Sequence, residues 1–317
     1  MELSALESYV GTAVGKYLPG YELGAVHRGG LSIVAKASMG EKEQRIVRAL
    51  KLIGSNNVPE DFDSNRKLFL GLDHPHVVKI LRIDRDVNVY TIIMEYIDGV
   101  TLDALLEETN LTGRQSRAIA QQLIDAVEHF EQKGMVCGDL KLENMMVTKY
   151  GEGGAEREKM RVKLVDVDAS SRPGRKEAII GSPYHLSPEE RRSEIFSNTH
   201  LYHLGTIFYQ MKVGVPPQLD SEISRKGVDE LVRERFDVDE QAFMTKLLAD
   251  PEQRYKTAKE VREALCESGL FASGFQILSP YSTGWADIRE GVWRVVEAIR
   301  SLRLPQKLAL GLRQLVL

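Results

Sequence analysis

The chain has 317 residues, 43% hydrophobic and 28% charged, with ordinary Gly and Pro content, which excludes a low-complexity chain and suits one large two-lobed domain or two smaller ones. A net charge of -4 excludes the basic field that a nucleic-acid partner or an anionic membrane surface would call for, and two cysteines, Cys137 and Cys266, without ligand-like spacing exclude a disulfide framework and a zinc site. The opening MELSALESYVGTAVGKYL carries acids early and has no basic leader, and no apolar run reaches the ~18 residues that span a bilayer, so a cytoplasmic protein without a membrane span is expected.

In chain order, residues 1–18 predict a short helix with Leu3, Leu6, Val10 and Val14 on one side, which either packs on the next unit or forms a partner-binding arm. YELGAV, LSIVAKAS and RIVRALKLI follow as strands, broken at Gly29, Gly30 and Gly40. A helix is expected over about Asp63–Leu72, then strands VVKILRID and VYTIIMEYI, the second ending at Asp98 and Gly99. The period then turns helical: SRAIAQQLIDAVEHFEQKG aligns Ile119, Leu123, Ile124, Val127 and Phe130, with Gly134 as its C-terminal cap. NMMVTK and RVKLVDVD predict a hairpin around a charged, Gly-rich loop, and the chain beyond Pro188 is mostly helical to about Leu270. A strand-rich first third and a helical remainder imply an α+β architecture of two lobes with a hinge near Glu95–Gly99.

Four pieces carry chemistry. HRGGLSIVAKA offers a turn at Gly29 and Gly30, where glycine lets backbone approach a phosphate, through its freedom of dihedral and its missing side chain. RALKLI sets Lys51 on a strand directed into the cleft beneath that turn. GDLKLEN supplies Asp139, then Lys141 two residues on and Asn144 five residues on; KLVDVD supplies Asp166 at a strand end. Each alone reads as a hairpin, a solvated lysine or a turn former. In this order they are what phosphoryl transfer requires: neutralised phosphates, oxygen ligands for a metal, and an acid that orients a hydroxyl.

Over Tyr21 to Leu270 the chain resembles the eukaryotic-type protein kinases, most closely the bacterial Ser/Thr kinases. LDHPHVVKI resembles the stretch after the family's helix C, IIMEYIDGVTL its hinge, CGDLKLEN its His-Arg-Asp-x-x-x-x-Asn loop, DVD its Asp-Phe-Gly, and GSPYHLSPEE, HLYHLG and DPEQRYKTAKEV its later landmarks. The resemblance implies a kinase-like fold: an N-lobe over 21–97, a C-lobe over 98–270, an N-terminal helical arm over 1–20 and a C-terminal helical extension over 271–317. It implies ATP and Mg2+ as cofactors, with Lys51 on the α- and β-phosphates beneath the Gly29–Gly30 loop and Asp139 orienting the hydroxyl. Lys141 would steady the transferred phosphate, and Asn144 and Asp166 would ligate the metal. Val34, Ala49 and Met146 would sandwich adenine beside the gatekeeper Met94, with the backbone of Glu95–Ile97 on its edge. Ser182 would help fix a Ser/Thr substrate, and Glu189 and Arg254 would form a buried structural ion pair.

The chain departs from that pattern at named places. Asn65 stands where helix C carries glutamate, so Lys51 is expected to lean on an amide acceptor, or on Glu60, Asp61 or Asp63 if the helix is shifted. Cys137 and Gly138 replace His and Arg; Cys137 is expected to pack beside Phe69, Ile80 and Val167 rather than to react. Val167 and Asp168 replace Phe and Gly, the latter adding a carboxylate near the metal site. His200 replaces an Asp that accepts hydrogen bonds from the catalytic loop, which a neutral His can do at one nitrogen, and His27 and Ser32 replace loop glycines. The expected function is a divergent, slow Ser/Thr protein kinase acting on a protein substrate. The alternative is a pseudokinase that binds nucleotide or serves as a scaffold, and a small-molecule kinase or nucleotidyl transferase is a third reading. WADIREGVWRVVEAIRSLRL in the extension is amphipathic and is expected to dock on the parent domain, a second copy or a regulator; the apolar ending LPQKLALGLRQLVL suggests that the chain continues.

Overall fold

The computed structural model describes residues 2–41, 44–149, 160–174 and 184–271. Its first sheet follows from period-two patterning: β1 (Glu22–Arg28), β2 (Ser32–Met39), β3 (Ile46–Gly54), β4 (Ile80–Asp86) and β5 (Val89–Glu95) pair antiparallel in the order β1-β2-β3-β5-β4. Successive side chains of β2 and β3 alternate between two apolar cores. Ile33, Ala35, Ala37, Leu50 and Leu52 meet Leu6, Val10, Ala13, Val14 and Tyr17 of α1 (Leu3–Tyr17), while Val34, Ala49 and Ile53 join the main core. The N-terminal helix therefore packs on the sheet. It is tied down at Asp86, whose carboxylate accepts from Lys16 at 2.7 Å and Tyr17 at 2.6 Å and also from Tyr9.

Within the main core, α2 (Phe62–Leu70) buries Phe62, Asn65 and Phe69. The strand expected from Val77 begins only at Ile80. His76 and Val78 are instead bonded to Leu164, through Leu164 N–H to His76 O at 2.9 Å and Val78 N–H to Leu164 O at 2.8 Å. A second sheet, β6 (Val100–Thr101), β7 (Met145–Lys149) and β8 (Met160–Leu164), pairs antiparallel in that order. Between β6 and β7 lie α3 (Leu102–Glu108), which the sequence reading missed, and α4 (Gly113–Gln132). Thr101 caps α3, and Thr112 with Gln115 forms a capping box for α4. The chain leaves α4 through Gly134 at φ 67°, in the left-handed region that glycine accepts most readily.

The remaining helices are α5 (Thr199–Val213), α6 (Pro217–Ser224), α7 (Val228–Arg235), α8 (Val238–Leu247) and α9 (Ala258–Glu267). Every residue of α5 from Thr199 to Lys212 is buried, so its polar side chains need partners inside the protein. Thr199 donates to Glu189 at 2.9 Å, Tyr209 to Asp220 at 2.6 Å, His203 meets Glu190 at 2.6 Å, and Lys212 pairs with Glu240. The helix is a polar hub inside an apolar lobe. The expected charged, Gly-rich loop over 150–159, together with Ser182 and the helical extension over 271–317, lies outside the described residues, apart from Phe271 itself.

Candidate active site

Lys51 sits in β3 opposite Val34 of β2 and Ile92 of β5, on the face that carries Ala49 and Ile53, and is 4% exposed. Its ammonium lies 2.8 Å from both carboxylate oxygens of Asp168 and also bonds Oδ1 of Asp166. Burial opposes that charge, but the two carboxylates outweigh it and raise the lysine above its ordinary value. Asp166 is lowered against its own burial by Lys51, so it stays ionised. Asp166 has φ 63°, and the turn Val167–Ala169 that follows buries Val167 in the main core with Phe69, Ile80 and Cys137, as the sequence suggested.

The expectation for Asn65 is overturned. It is fully buried, but its Nδ2 donates to Asp61 at 2.7 Å and its Oδ1 has no partner, so it does not accept from Lys51. Asp63 is no substitute either, since it pairs with Arg85 at 2.5 Å and Arg66 at 3.7 Å on the surface. Asp168 is the carboxylate that meets Lys51 alongside Asp166. The sequence held the signal: a second acid two residues past Asp166 in a chain that carries Asn65 at the helix position where glutamate is expected.

On the opposite wall, Asp139 at φ 50° accepts from Lys141 at 2.7 Å and from Nδ2 of Asn144 at 2.9 Å. Asn144 also donates to Asp139 O at 2.9 Å, and its own carbonyl takes Val165 N–H at 2.9 Å, linking this loop to the segment that bears Asp166. With its amide nitrogen on Asp139, Asn144 has its side-chain oxygen left to offer, the atom type a hard cation takes; with the ionised Asp166, the donor set fits Mg2+.

Gly138 has a steric reason. A Cβ there would lie 2.3 Å from Ala169 O, because Val136 and Ser171 exchange backbone hydrogen bonds at 2.7 and 3.1 Å and draw the two segments together. Cys137 is 1% exposed, and burial pushes its thiol up to about 12, which fits a packing residue. His200 accepts from Cys137 N–H at 3.2 Å through Nδ1, as expected of a neutral imidazole. Glu189 and Arg254, both fully buried, form the expected pair at 2.6 and 3.0 Å. The buried His203–Glu190 pair was not foreseen.

Val34 and Ala49 lie on adjacent strands on the Lys51 face, Ala49 opposite Met94, and Met146 is half-buried on β7. Glu95 N–H is taken by Lys79 O at 3.0 Å, and Ile97 follows in a half-buried stretch without regular structure. Gly29 closes the β1–β2 turn by donating to Ser32 O at 2.8 Å. Neither Gly29 nor Gly30 has a positive φ, so the advantage of glycine there is its bare surface and not its dihedral freedom.

The profile of the protein kinase domain matches residues 22–268, and the chain belongs to that family. A probable serine/threonine-protein kinase of Clostridium perfringens is 28% identical over 270 residues, covering 78% of this chain and 38% of the relative. One of Streptomyces coelicolor is 27% identical over 271 residues, covering 76% and 39%. The chain thus spans about two-fifths of the length of these relatives. The crystal structure of the Mycobacterium tuberculosis PknI kinase domain superposes with a TM-score of 0.61 at 17% identity, over 79% of this chain and 96% of that one, a likeness of fold. The fold is that of a eukaryotic-type protein kinase, nearest the bacterial Ser/Thr kinases in sequence. Among the described residues, no helix is long and apolar enough to cross a membrane.

Proposed function

We propose that this chain is an active Ser/Thr protein kinase that transfers the ATP γ-phosphate to a hydroxyl of a protein substrate, in the cytoplasm. The observation that carries this reading is one set of contacts: Lys51 on Asp166, and Asp139 bonded to both Lys141 and Asn144. A chain released from catalysis has no need to keep all five.

In the proposed reaction, Asp139 accepts the proton of the Ser/Thr hydroxyl as that oxygen bonds to the γ-phosphorus and the bond to the β-phosphate oxygen breaks, yielding ADP and a phosphoprotein. Lys141, raised in pKa by Asp139 against its burial, stays charged to meet the phosphoryl oxygens. Lys51 orients the α- and β-phosphates, and Val34, Ala49, Met94 and Met146 enclose the base. Asp166 and Asn144 would hold Mg2+, which would supply charge neutralisation on the phosphates. The lobes are taken to divide at 97/98, with residues 271–317 contacting the kinase domain, a second copy or a regulator.

A second reading, a nucleotide-binding pseudokinase, draws on Asn65, which leaves α2 without a carboxylate for Lys51. Radiolabelled ATP with Mg2+ and a basic protein substrate separates the two. Transfer lost in both Asp139→Asn and Asp166→Ala supports the enzyme. ATP-dependent thermal stabilisation without transfer, weakened by Asp166→Ala, supports the pseudokinase.

A further inference from the structure

We propose that Asp168 is the residue that positions Lys51, supplying from the turn after β8 the carboxylate that α2 lacks. The inference deepens the proposed phosphoryl transfer and rests on that reading. Both oxygens of Asp168 stand 2.8 Å from the Lys51 ammonium, whereas Asp166 engages it through one. The Asp168 side chain is 7% exposed and that of Asp166 is 34% exposed, so the two acids divide the work. The enclosed one anchors the lysine, and the open one keeps an oxygen for the cation. A lone carboxylate as enclosed as Asp168 would be costly, and Lys51 is the cation that compensates it.

The helix that would ordinarily compete for Lys51 is not equipped to do so. α2 packs against the turn Val167–Ala169, but its inward polar residue, Asn65, spends its amide nitrogen on Asp61 and leaves its oxygen unpartnered. Its acid, Asp63, is turned to Arg85 and Arg66. The anchor of the phosphate-binding lysine and the proposed metal ligand are thus two residues apart on one turn, which Val167 fixes in the core.

The test is a double-mutant cycle read by equilibrium binding of a non-hydrolysable ATP analogue with Mg2+, a measurement independent of turnover. Asp168→Asn and Lys51→Ala are each expected to weaken binding by roughly tenfold to a hundredfold, the size of one charge-assisted hydrogen bond, and together by no more than either alone. Asp168→Gly should weaken it likewise, and Asp168→Gly with Asn65→Glu, which returns a carboxylate to α2, should recover most of the loss. If Asp168 merely competes with phosphate, Asp168→Asn will tighten binding, and the proposal is overturned. Losses that simply add overturn it too. Should the unaltered chain bind no nucleotide, the proposed reaction fails; the proposal is then read from the melting temperatures of the unaltered chain, Asp168→Asn, Lys51→Ala and their double variant, where additive effects of these two substitutions overturn it and coupled effects sustain the ion pair.

Discussion

The backbone N–H of Cys137 donates to Nδ1 of His200 across 3.2 Å, and the other ring nitrogen of His200 meets Glu131 at 3.1 Å. Glu131 in turn accepts from Ala258 N–H at 2.9 and 3.0 Å, so one buried imidazole joins the catalytic loop, α5, α4 and the start of α9. The contact fixes the tautomer: Nδ1 is the acceptor and Nε2 carries the proton.

Replacing His200 with Ala leaves the Cys137 N–H without its buried acceptor. The expected cost is ~1–3 kcal/mol in chemical unfolding, with kcat reduced more than KM because the loop carrying Asp139 loses a support. His200→Asp restores an acceptor but sets it against Glu131, so it should recover stability only together with Glu131→Gln. Equal stability of His200→Ala and the unaltered chain would disprove the support role.

The two histidines of α5 should bend the pH–stability curve in opposite senses. Burial holds His200 below its ordinary 6.5, against Glu131. Its contribution is therefore complete above 6.5 and declines as pH falls from there toward the folded value. His203 is also buried, but the Glu190 carboxylate overrides that and raises it. Its contribution is complete below 6.5 and is lost as pH climbs through the raised value. Melting curves of His200→Gln should therefore show a flatter acid decline, and those of His203→Gln the greater loss on the acid side; the same slope in both would refute the assignment.

Restoring the family's arginine at Gly138 should harm the protein. Any Cβ meets Ala169 O at 2.3 Å, so Gly138→Arg and Gly138→Ala are each expected to cost ~1–3 kcal/mol, as overpacking does. An arginine variant as stable as the parent in urea would show that the segments separate freely.

Thiol labelling should distinguish the two cysteines. Cys266 is exposed, while Cys137 is buried with its thiol pushed up to about 12. One fast-reacting thiol is expected in the folded chain and two after denaturation. Rapid native labelling of a Cys266→Ser variant would contradict the packing role of Cys137.

The sequence made the lobes and the catalytic loop legible because both rest on local signals: strand alternation around Lys51, helical period through Phe130, and fixed offsets from Asp139 to Asn144. It did not resolve that Asp168 meets Lys51, because that depends on where two segments 117 residues apart converge in space. Asn65 misled for a related reason: its position matched a glutamate, but its amide found a nearer partner in Asp61. α3 went unpredicted because seven residues carry little period, and the start of β4 was misjudged because Val77 and Val78, strand-like in composition, are drawn to Leu164. The polar hub of α5 was hidden by its own burial, which erases the amphipathic stripe that a sequence reading relies on.

The docking of α1 separates the inherited unit from the folding unit. The match to the protein kinase domain profile begins at residue 22, yet the apolar outer face of β2 and β3 is closed by side chains from Leu6 to Tyr17. A chain cut at the homology boundary would keep every residue proposed for chemistry and still expose a core, and it would tend to aggregate for reasons unrelated to phosphate transfer.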